Sequence, residues 1–135
     1  MDYLYIELQK IRMRPTMFLG EKSVECLYYF ILGYSARAFQ IDPHYEDCLS
    51  GFVEFVQKRY KDKDGIHHWK WLILNNSKNE EEAFDIFFEL LSKYVKNKLQ
   101  TDGTPYNFNA EKWYAECQMK YEALTEQEIR KYMEE

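Results

Sequence analysis

Large apolar side chains recur along this chain at intervals of three and four residues, and no other feature restricts its fold as strongly. Such spacing places side chains on one face of an α-helix. The clearest stripe consists of Val24, Leu27, Tyr28, Ile31, Ser35, Ala38 and Phe39. A second stripe runs through residues 80–99, and the 12 Tyr, 9 Phe and 3 Trp of the 135 residues make both faces wide. The spacing predicts an all-α protein packed around these two helices.

Capping residues and helix breakers divide the chain into a compact single-domain bundle of six or seven helices over residues 1–135. Asp2, Ser23 and Asn79 are good N-caps, and Pro15 ends the first helix because it disfavours helical backbone in the residue before it. The expected helices cover 3–13, 24–40, 50–60, 69–74, 80–99, 110–123 and a last segment that opens at Thr125. The segment 69–74 is also compatible with a buried strand, but helix is favoured because the sequence contains no second strand candidate to pair with it.

Three small residues carry further structural expectations. Gly33 is costly inside a helix, which predicts that another helix approaches closely at this position. Cys26 lies on the apolar stripe of the 24–40 helix and is expected to be buried. Residues 16–20 are predicted to form a short apolar connection closed by the permissive Gly20.

The cysteines and the N-terminal residues predict the compartment. Cys26, Cys48 and Cys117 are an odd number, widely spaced and without a C-x-x-C pair, which is typical of a reducing environment. The first residues lack the basic and apolar regions of a signal peptide, and no apolar run approaches the ~20 residues that span a bilayer. We therefore expect a cytoplasmic protein that has no contact with a membrane.

The charge balance bears on the class of partner. Asp and Glu number 23 against 18 Lys and Arg, which gives a net charge of −5. Nucleic-acid binding needs a clustered excess of cations, so the balance argues against it. A basic protein partner suits it, although net acidity also simply keeps a protein soluble. The basic run 58–63 is compatible with phosphate or RNA contacts in which Tyr60 stacks on a base, but a solvated loop is the favoured interpretation.

Residues that could carry chemistry do not converge in the sequence. His67 and His68 are adjacent and therefore face different ways, and His44 stands alone. A small enzyme would need a pocket around His67, His68 or Cys117, and a metal site would need ligands at suitable spacing. The sequence predicts a protein that is not an enzyme and that holds no metal or cofactor.

A cluster of carboxylates opens the 80–99 helix. Its members are Glu80, Glu81, Glu82, Asp85 and Glu89. Consecutive acids at a helix N-terminus act as a solvated cap, because they complement the positive end of the helix dipole. The same residues could bind a basic partner, whereas acid–base catalysis would require a pocket that shifts one pKa. If the chain binds a protein, this cluster is the first candidate surface, and Glu46 with Asp47 is the second.

An ordered series of short patterns gives the chain a family resemblance. The patterns are R-P-x-M-F-L-G at 14–20, L-x-G-Y (here Leu32-Gly33-Tyr34), F-x-x-F-V at 52–56, R-Y at 59–60, a Trp-led apolar stretch at 69–74 and E-E-A-F-x-x-F-F-x-L-L at 81–91. In this order they resemble small bacterial immunity proteins of polymorphic toxin systems, including contact-dependent growth inhibition. Residues 11–20 are also similar to a stretch of type II topoisomerase ATPase subunits, but the glycine-rich lids of those enzymes do not follow.

The resemblance implies an all-α immunity protein that binds and neutralises a cognate toxin domain, often a nuclease, by occluding its active or substrate-binding site. It does not carry over a toxin or a set of binding residues, because immunity surfaces diverge together with their toxins. The alternative is a non-enzymatic adaptor or regulator, with homodimerisation as one form of it and no toxin partner.

Overall fold

The computed structural model describes residues 2–96 and 98, and every regular element in that part of the chain is helical. The six helices are α1 Tyr3–Met13, α2 Pro15–Leu19, α3 Val24–Ile41, α4 Phe52–Arg59, α5 Trp69–Asn75 and α6 Glu80–Val95. The all-α prediction is confirmed, including the choice of helix for the segment 69–74. The predicted helices 110–123 and beyond Thr125 lie outside the described residues.

Three N-caps form as the sequence predicts. Asp2, Ser23 and Asn79 each accept, through a side-chain oxygen, the backbone N–H of the residue three positions later, at 2.9, 3.2 and 2.8 Å. These bonds satisfy N–H groups that the first turn of a helix leaves without a partner. The starts of α1, α3 and α6 therefore follow from local sequence.

The connection expected at residues 16–20 is a short helix instead. Pro15 ends α1 as predicted, but it also begins α2, because proline lacks only an N–H that the first helical position does not need. Gly20 closes α2 in the left-handed conformation, with φ +84°, and donates its N–H to the Thr16 carbonyl at 2.9 Å.

The core lies where α3 and α6 cross, with α1, α4 and α5 around them. Helix α6 contributes the most to it, through Ala83, Phe84, Phe87, Phe88, Leu90, Leu91 and Val95. Rings from three helices meet at its centre: Phe87 lies 5.5 Å from Phe52 and 4.7 Å from Trp69, measured between ring centroids. Edge-to-face and tilted contacts of this kind are favourable for aromatic pairs.

Helix α3 is buried over its first half only. Val24, Leu27 and Ile31 are buried, whereas Leu32 is 45% and Phe39 51% exposed. The close approach expected at Gly33 is not made by any part of residues 2–96 and 98, because an added Cβ there would meet no described atom within 4 Å. Beyond Ile31 the helix extends past the neighbours that cover its start, so its apolar stripe continues onto the surface of the described part.

Two further expectations are corrected. Cys26 is half-buried rather than buried, with its thiol 3.4 Å from a Glu21 carboxylate oxygen, and Cys48 is the cysteine in the core. Helix α6 ends at Val95 rather than near residue 99. Past its end, the Lys98 ammonium donates to the carbonyl oxygens of Asp47, Cys48 and Ser50 at 3.1 to 3.3 Å. These bonds draw the chain to the loop between α3 and α4.

Within residues 2–96 and 98, none of the helices combines the length and the apolar composition that crossing a bilayer requires.

Gly51→Ala should destabilise the protein by at least about 1 kcal/mol, because Gly51 holds the left-handed conformation at φ +83° and an added Cβ would collide with the Tyr94 hydroxyl. Gly33→Ala is the matched control and should stabilise the fold by about 1 kcal/mol, because it removes a glycine from an open helix position. Urea denaturation of both variants measures this, and equal effects would contradict the assignment.

Candidate functional site

Glu80 is used inside the fold rather than displayed for a partner. Its Oε2 accepts the Ser23 hydroxyl at 2.9 Å and the Glu25 backbone N–H at 3.2 Å. Ser23 is only 4% exposed, so these bonds join the N-terminus of α6 to that of α3 in a largely covered place. One carboxylate thus serves the positive ends of two helices.

The remaining carboxylates of α6 lie in a mixed-charge setting. Asp85 pairs with Lys22 at 2.9 Å, and Glu89 pairs with Lys93 at 3.5 Å. A shallow groove of about 470 Å³ beside them is lined by Arg12, Asp85, Phe88, Glu89, Ser92 and Lys93. Exposed pairs of this kind contribute little to stability, but each places a cation beside a carboxylate that a basic partner would otherwise meet alone.

Glu81 and Glu82 complete the cluster. Glu82 is half-buried, and its backbone N–H is the one that Asn79 caps. Glu81 is exposed, and no cation of the described part of the chain lies within ion-pair distance of it. Of the five carboxylates predicted as the first candidate surface, Glu81 is therefore the one most available to a basic partner.

Glu46 and Asp47, the second candidate, lie in the loop between α3 and α4. Asp47 shapes this loop: its Oδ1 accepts the Leu49 N–H at 2.8 Å and its own N–H donates to the Ser50 hydroxyl at 3.1 Å. Glu46 is exposed and has no cationic partner among the described residues. The two neighbours thus divide their roles, with Asp47 holding the loop and Glu46 facing outward.

Both residues line a cleft of about 240 Å³ that sequence reasoning did not find. Helix α3, the loop after it, α4 and the start of α5 surround it. Its lining is Tyr28, Ile31, Leu32, Ser35, Phe39, Tyr45, Glu46, Asp47, Leu49, Ser50, Val53, His68 and Trp69. The walls are mostly apolar and aromatic, and the acidic residues lie together along the loop side, so the cleft has one apolar and one polar edge.

The spacing of α3 explains the shape of the cleft. Tyr28, Leu32, Ser35 and Phe39 follow one another at i, i+4, i+7 and i+11, which places them on one helix face. The small Ser35 lies between two exposed apolar side chains and leaves a depression. The sequence predicts this stripe as part of the core, whereas in the structure Leu32 and Phe39 are exposed.

Aromatic contacts fix the walls. The Tyr28 ring lies edge-on to His68 at 5.0 Å and to Trp69 at 5.6 Å, and the Phe39 ring lies edge-on to Tyr45 at 5.5 Å. Trp69 is 3% exposed, so the cleft is built on a core residue. Because these rings are already held by their neighbours, little side-chain conformational entropy is lost when a partner binds.

Two titratable groups of the cleft, His68 and Tyr45, have shifted pKa values. Burial, with a smaller effect of the nearby Lys70 ammonium, lowers the pKa of His68. Its Nδ1 accepts the Lys70 backbone N–H at 3.3 Å. Burial, followed by the neighbouring Asp47 carboxylate, raises the pKa of the Tyr45 hydroxyl, which keeps its proton. The lining contains two carboxylates, those of Glu46 and Asp47, and no Lys or Arg, while the Lys98 ammonium is bonded to the backbone of the same loop.

Lys70 lies just outside the cleft and is fully engaged. Its ammonium is 3.3 Å from a Glu25 carboxylate oxygen and lies over the rings of Tyr28 and Tyr29, 4.7 and 5.3 Å from their centroids. Cation–π contacts of this type hold the cation to its own protein. Lys70 therefore does not neutralise Glu46.

The histidines have separate structural partners. His67 stacks on Trp71 at 3.9 Å and contacts Asp62 through its ring, whereas His68 lies against Tyr28. His44 is exposed and donates its backbone N–H to Asp42. Within the described residues no three potential ligands come together as a metal site would require. Cys117 lies outside the described residues.

The basic run 58–63 covers the last two residues of α4 and the structured turn that follows. The Tyr60 ring packs partly against the core, so its face is not free for a base. Lys61 adopts a positive φ of 55°, and the Asp62 N–H donates to the Gln57 carbonyl at 2.9 Å. Gln57 in turn donates to the carbonyls of residues 65 and 67 at 3.1 and 2.9 Å.

Glu80→Ala should lower the free energy of unfolding by about 1.5–3 kcal/mol, because it leaves Ser23 and the start of α3 without their acceptor. Glu81→Ala removes an equivalent first-turn carboxylate that makes no such bond, and its cost should stay within about 0.5 kcal/mol. Urea denaturation compares the two. Equal costs would mean that only the helix dipole matters at both positions.

Asp62→Asn should destabilise the protein near neutral pH and have no effect in strong acid. The His67 side chain and N–H hold the pKa of Asp62 below its ordinary value. The stabilisation is therefore complete above the unfolded pKa of about 3.9 and disappears as the pH falls through the lower folded pKa. Thermal unfolding across pH measures this, with Asp64→Asn as the control in the same turn. A pH-independent cost would contradict it.

No protein-family model matches this chain, and no curated protein or solved structure is detectably similar to it.

Proposed function

We propose that the protein is an immunity protein, which binds a cognate toxin domain and neutralises it by covering the active site or the substrate-binding surface. The patterns that resemble such proteins supply much of the core, namely residues of α4, α5 and α6. They account for a shared architecture. The function has to reside on the surface that these helices display.

The observation that carries the proposal is the cleft between α3 and α5. It combines exposed apolar side chains, such as Leu32 and Phe39, with carboxylates that no cation of the described residues neutralises. Interfaces are rich in aromatic side chains at their centre and polar at their rim. A protein partner would fill this depression and cover its exposed apolar side chains.

Charge supports a basic toxin. The chain has a net charge of −5, and complementary potentials speed encounter and disfavour wrong partners. Nuclease domains act on a polyanion and therefore present cations around their active sites. A toxin of this class would meet Glu46 at the cleft and Glu81 on α6, and an interface of about 1,600 Å² is the standard size for a stable complex.

A second candidate function is that of a non-enzymatic adaptor or regulator that forms homodimers. The observation that favours it is a separate set of exposed apolar side chains on α1 and α2. Its members are Tyr3, Met13, Met17 and Phe18, and Met17 is 68% exposed. Apolar patches of this kind also mark self-association surfaces.

Co-expression with the toxin encoded beside its gene should protect cells from that toxin, and the two proteins should co-purify as a complex. Light scattering measures the mass of the complex and of the free protein. A free dimer without protection or a complex would contradict the immunity function and support the adaptor.

A further inference from the structure

We propose that the α3–α5 cleft takes an apolar anchor side chain from a basic, amphipathic segment of the partner, and that Glu46 pairs with a Lys or Arg beside that anchor. The proposal rests on the proposed function and names the surface through which it would act. Three properties of the cleft carry it.

Size is the first property. The cleft measures about 240 Å³, whereas pockets for drug-sized ligands span about 300–1,000 Å³. A space of this size suits one or two side chains rather than a whole metabolite. Helices that dock in grooves insert such anchors at i, i+3, i+4 or i+7.

Wall chemistry is the second property. Leu32 and Phe39 leave 45% and 51% of their surface exposed, one on each side of the half-buried Ser35. Trp69 forms part of the lining and is itself fixed in the core. An apolar side chain that enters the cleft would remove the exposed surface of Leu32 and Phe39 from water, while Trp69 keeps its position. Binding hot spots typically combine such apolar burial with a rigid pocket.

Charge is the third property and selects the flanking residues of the partner. The His68 ring accepts the Lys70 backbone N–H through Nδ1, and the Lys70 ammonium is held by Glu25 and two tyrosine rings. The Lys98 ammonium is bonded to three backbone carbonyls of the loop, and the Asp47 carboxylate is engaged by the same loop. Glu46 remains as an exposed carboxylate at the edge of an apolar cleft. Opposite charge in the partner would be attracted, and an acidic segment would be repelled.

The cleft is also separate from the carboxylates of α6. Asp85 and Glu89 lie beside Arg12 and Lys93 in a groove that shares no lining residue with the cleft, and Glu81 lines neither of the two. Substitutions can therefore address the two surfaces independently.

The first experiment tests the cleft without requiring the toxin. A helical peptide of Leu and Lys at amphipathic spacing is titrated into the full-length protein and followed by amide chemical shifts. We expect saturable shifts at Leu32, Ser35 and Glu46, and no binding of a matched peptide of Leu and Glu. Equal binding of both peptides, or shifts confined to α6, would overturn the proposal.

Paired variants then separate the cleft from general effects. Ser35→Trp fills the depression, and Ala36→Trp places the same ring on an exposed neighbouring position of α3 that does not line the cleft. Glu46→Lys and Glu81→Lys make the same charge change at the cleft and on α6. Ser35→Trp and Glu46→Lys should weaken peptide binding at least about 10-fold, and the two controls should stay within about threefold.

The same four variants are measured against the toxin domain. Cleft variants that lose at least about 30-fold in affinity, with unchanged thermal unfolding, would support the proposal. A toxin complex that tolerates Ser35→Trp but not Glu81→Lys would overturn it and leave the immunity function intact. If the peptide binds at the cleft but no toxin complex forms, the immunity function is contradicted, while the cleft is still shown to bind a basic, amphipathic segment. If the wild-type protein is a dimer that binds no peptide, and Ser35→Trp converts it to a monomer, the proposal is overturned and the cleft is the dimer interface.

Discussion

The contact among Phe52, Trp69 and Phe87 is the constraint on which the described structure depends. It joins α4, α5 and α6 with ring centroids 4.7 to 6.1 Å apart, and all three residues are at most 3% exposed. Two of these helices have only seven or eight residues, too few to be stable alone. They exist because each places a large ring into a common centre. The cleft depends on the same contact, since Trp69 orients Tyr28 and thereby the apolar wall.

The carboxylates of the described residues differ in what surrounds them. Glu80, Asp47 and Asp62 accept backbone or side-chain hydrogen bonds at helix ends and turns, and they hold the fold together. Asp85, Glu89 and Glu25 pair with lysines, whereas Glu46 and Glu81 are exposed and have neither kind of partner within the described residues. A carboxylate that is bonded within the fold is costly to withdraw, so the free pair is where a net acidic chain can interact with a partner.

Much of the helical framework was predictable because its causes are local. The bounds of α1, the caps at Ser23 and Asn79 and the inward face of α6 follow from side chains within a few positions of one another. The errors have non-local causes. Gly33 predicts a close helix crossing, but none of the described helices approaches it. Of the described cysteines, Cys48 is buried instead of Cys26 because the loop after α3 folds back on the core.

The sequence by itself determined that the chain is helical, where most described helices begin, and that carboxylates outnumber cations. Tertiary structure alone decided which of those carboxylates are free. Glu80 and Glu81 are adjacent and chemically identical, yet only Glu80 reaches Ser23, because α3 happens to start beside it. The cleft is likewise a product of packing: it combines residues 28–69 from four elements, and periodicity can place a side chain on a helix face but cannot tell whether another element covers that face.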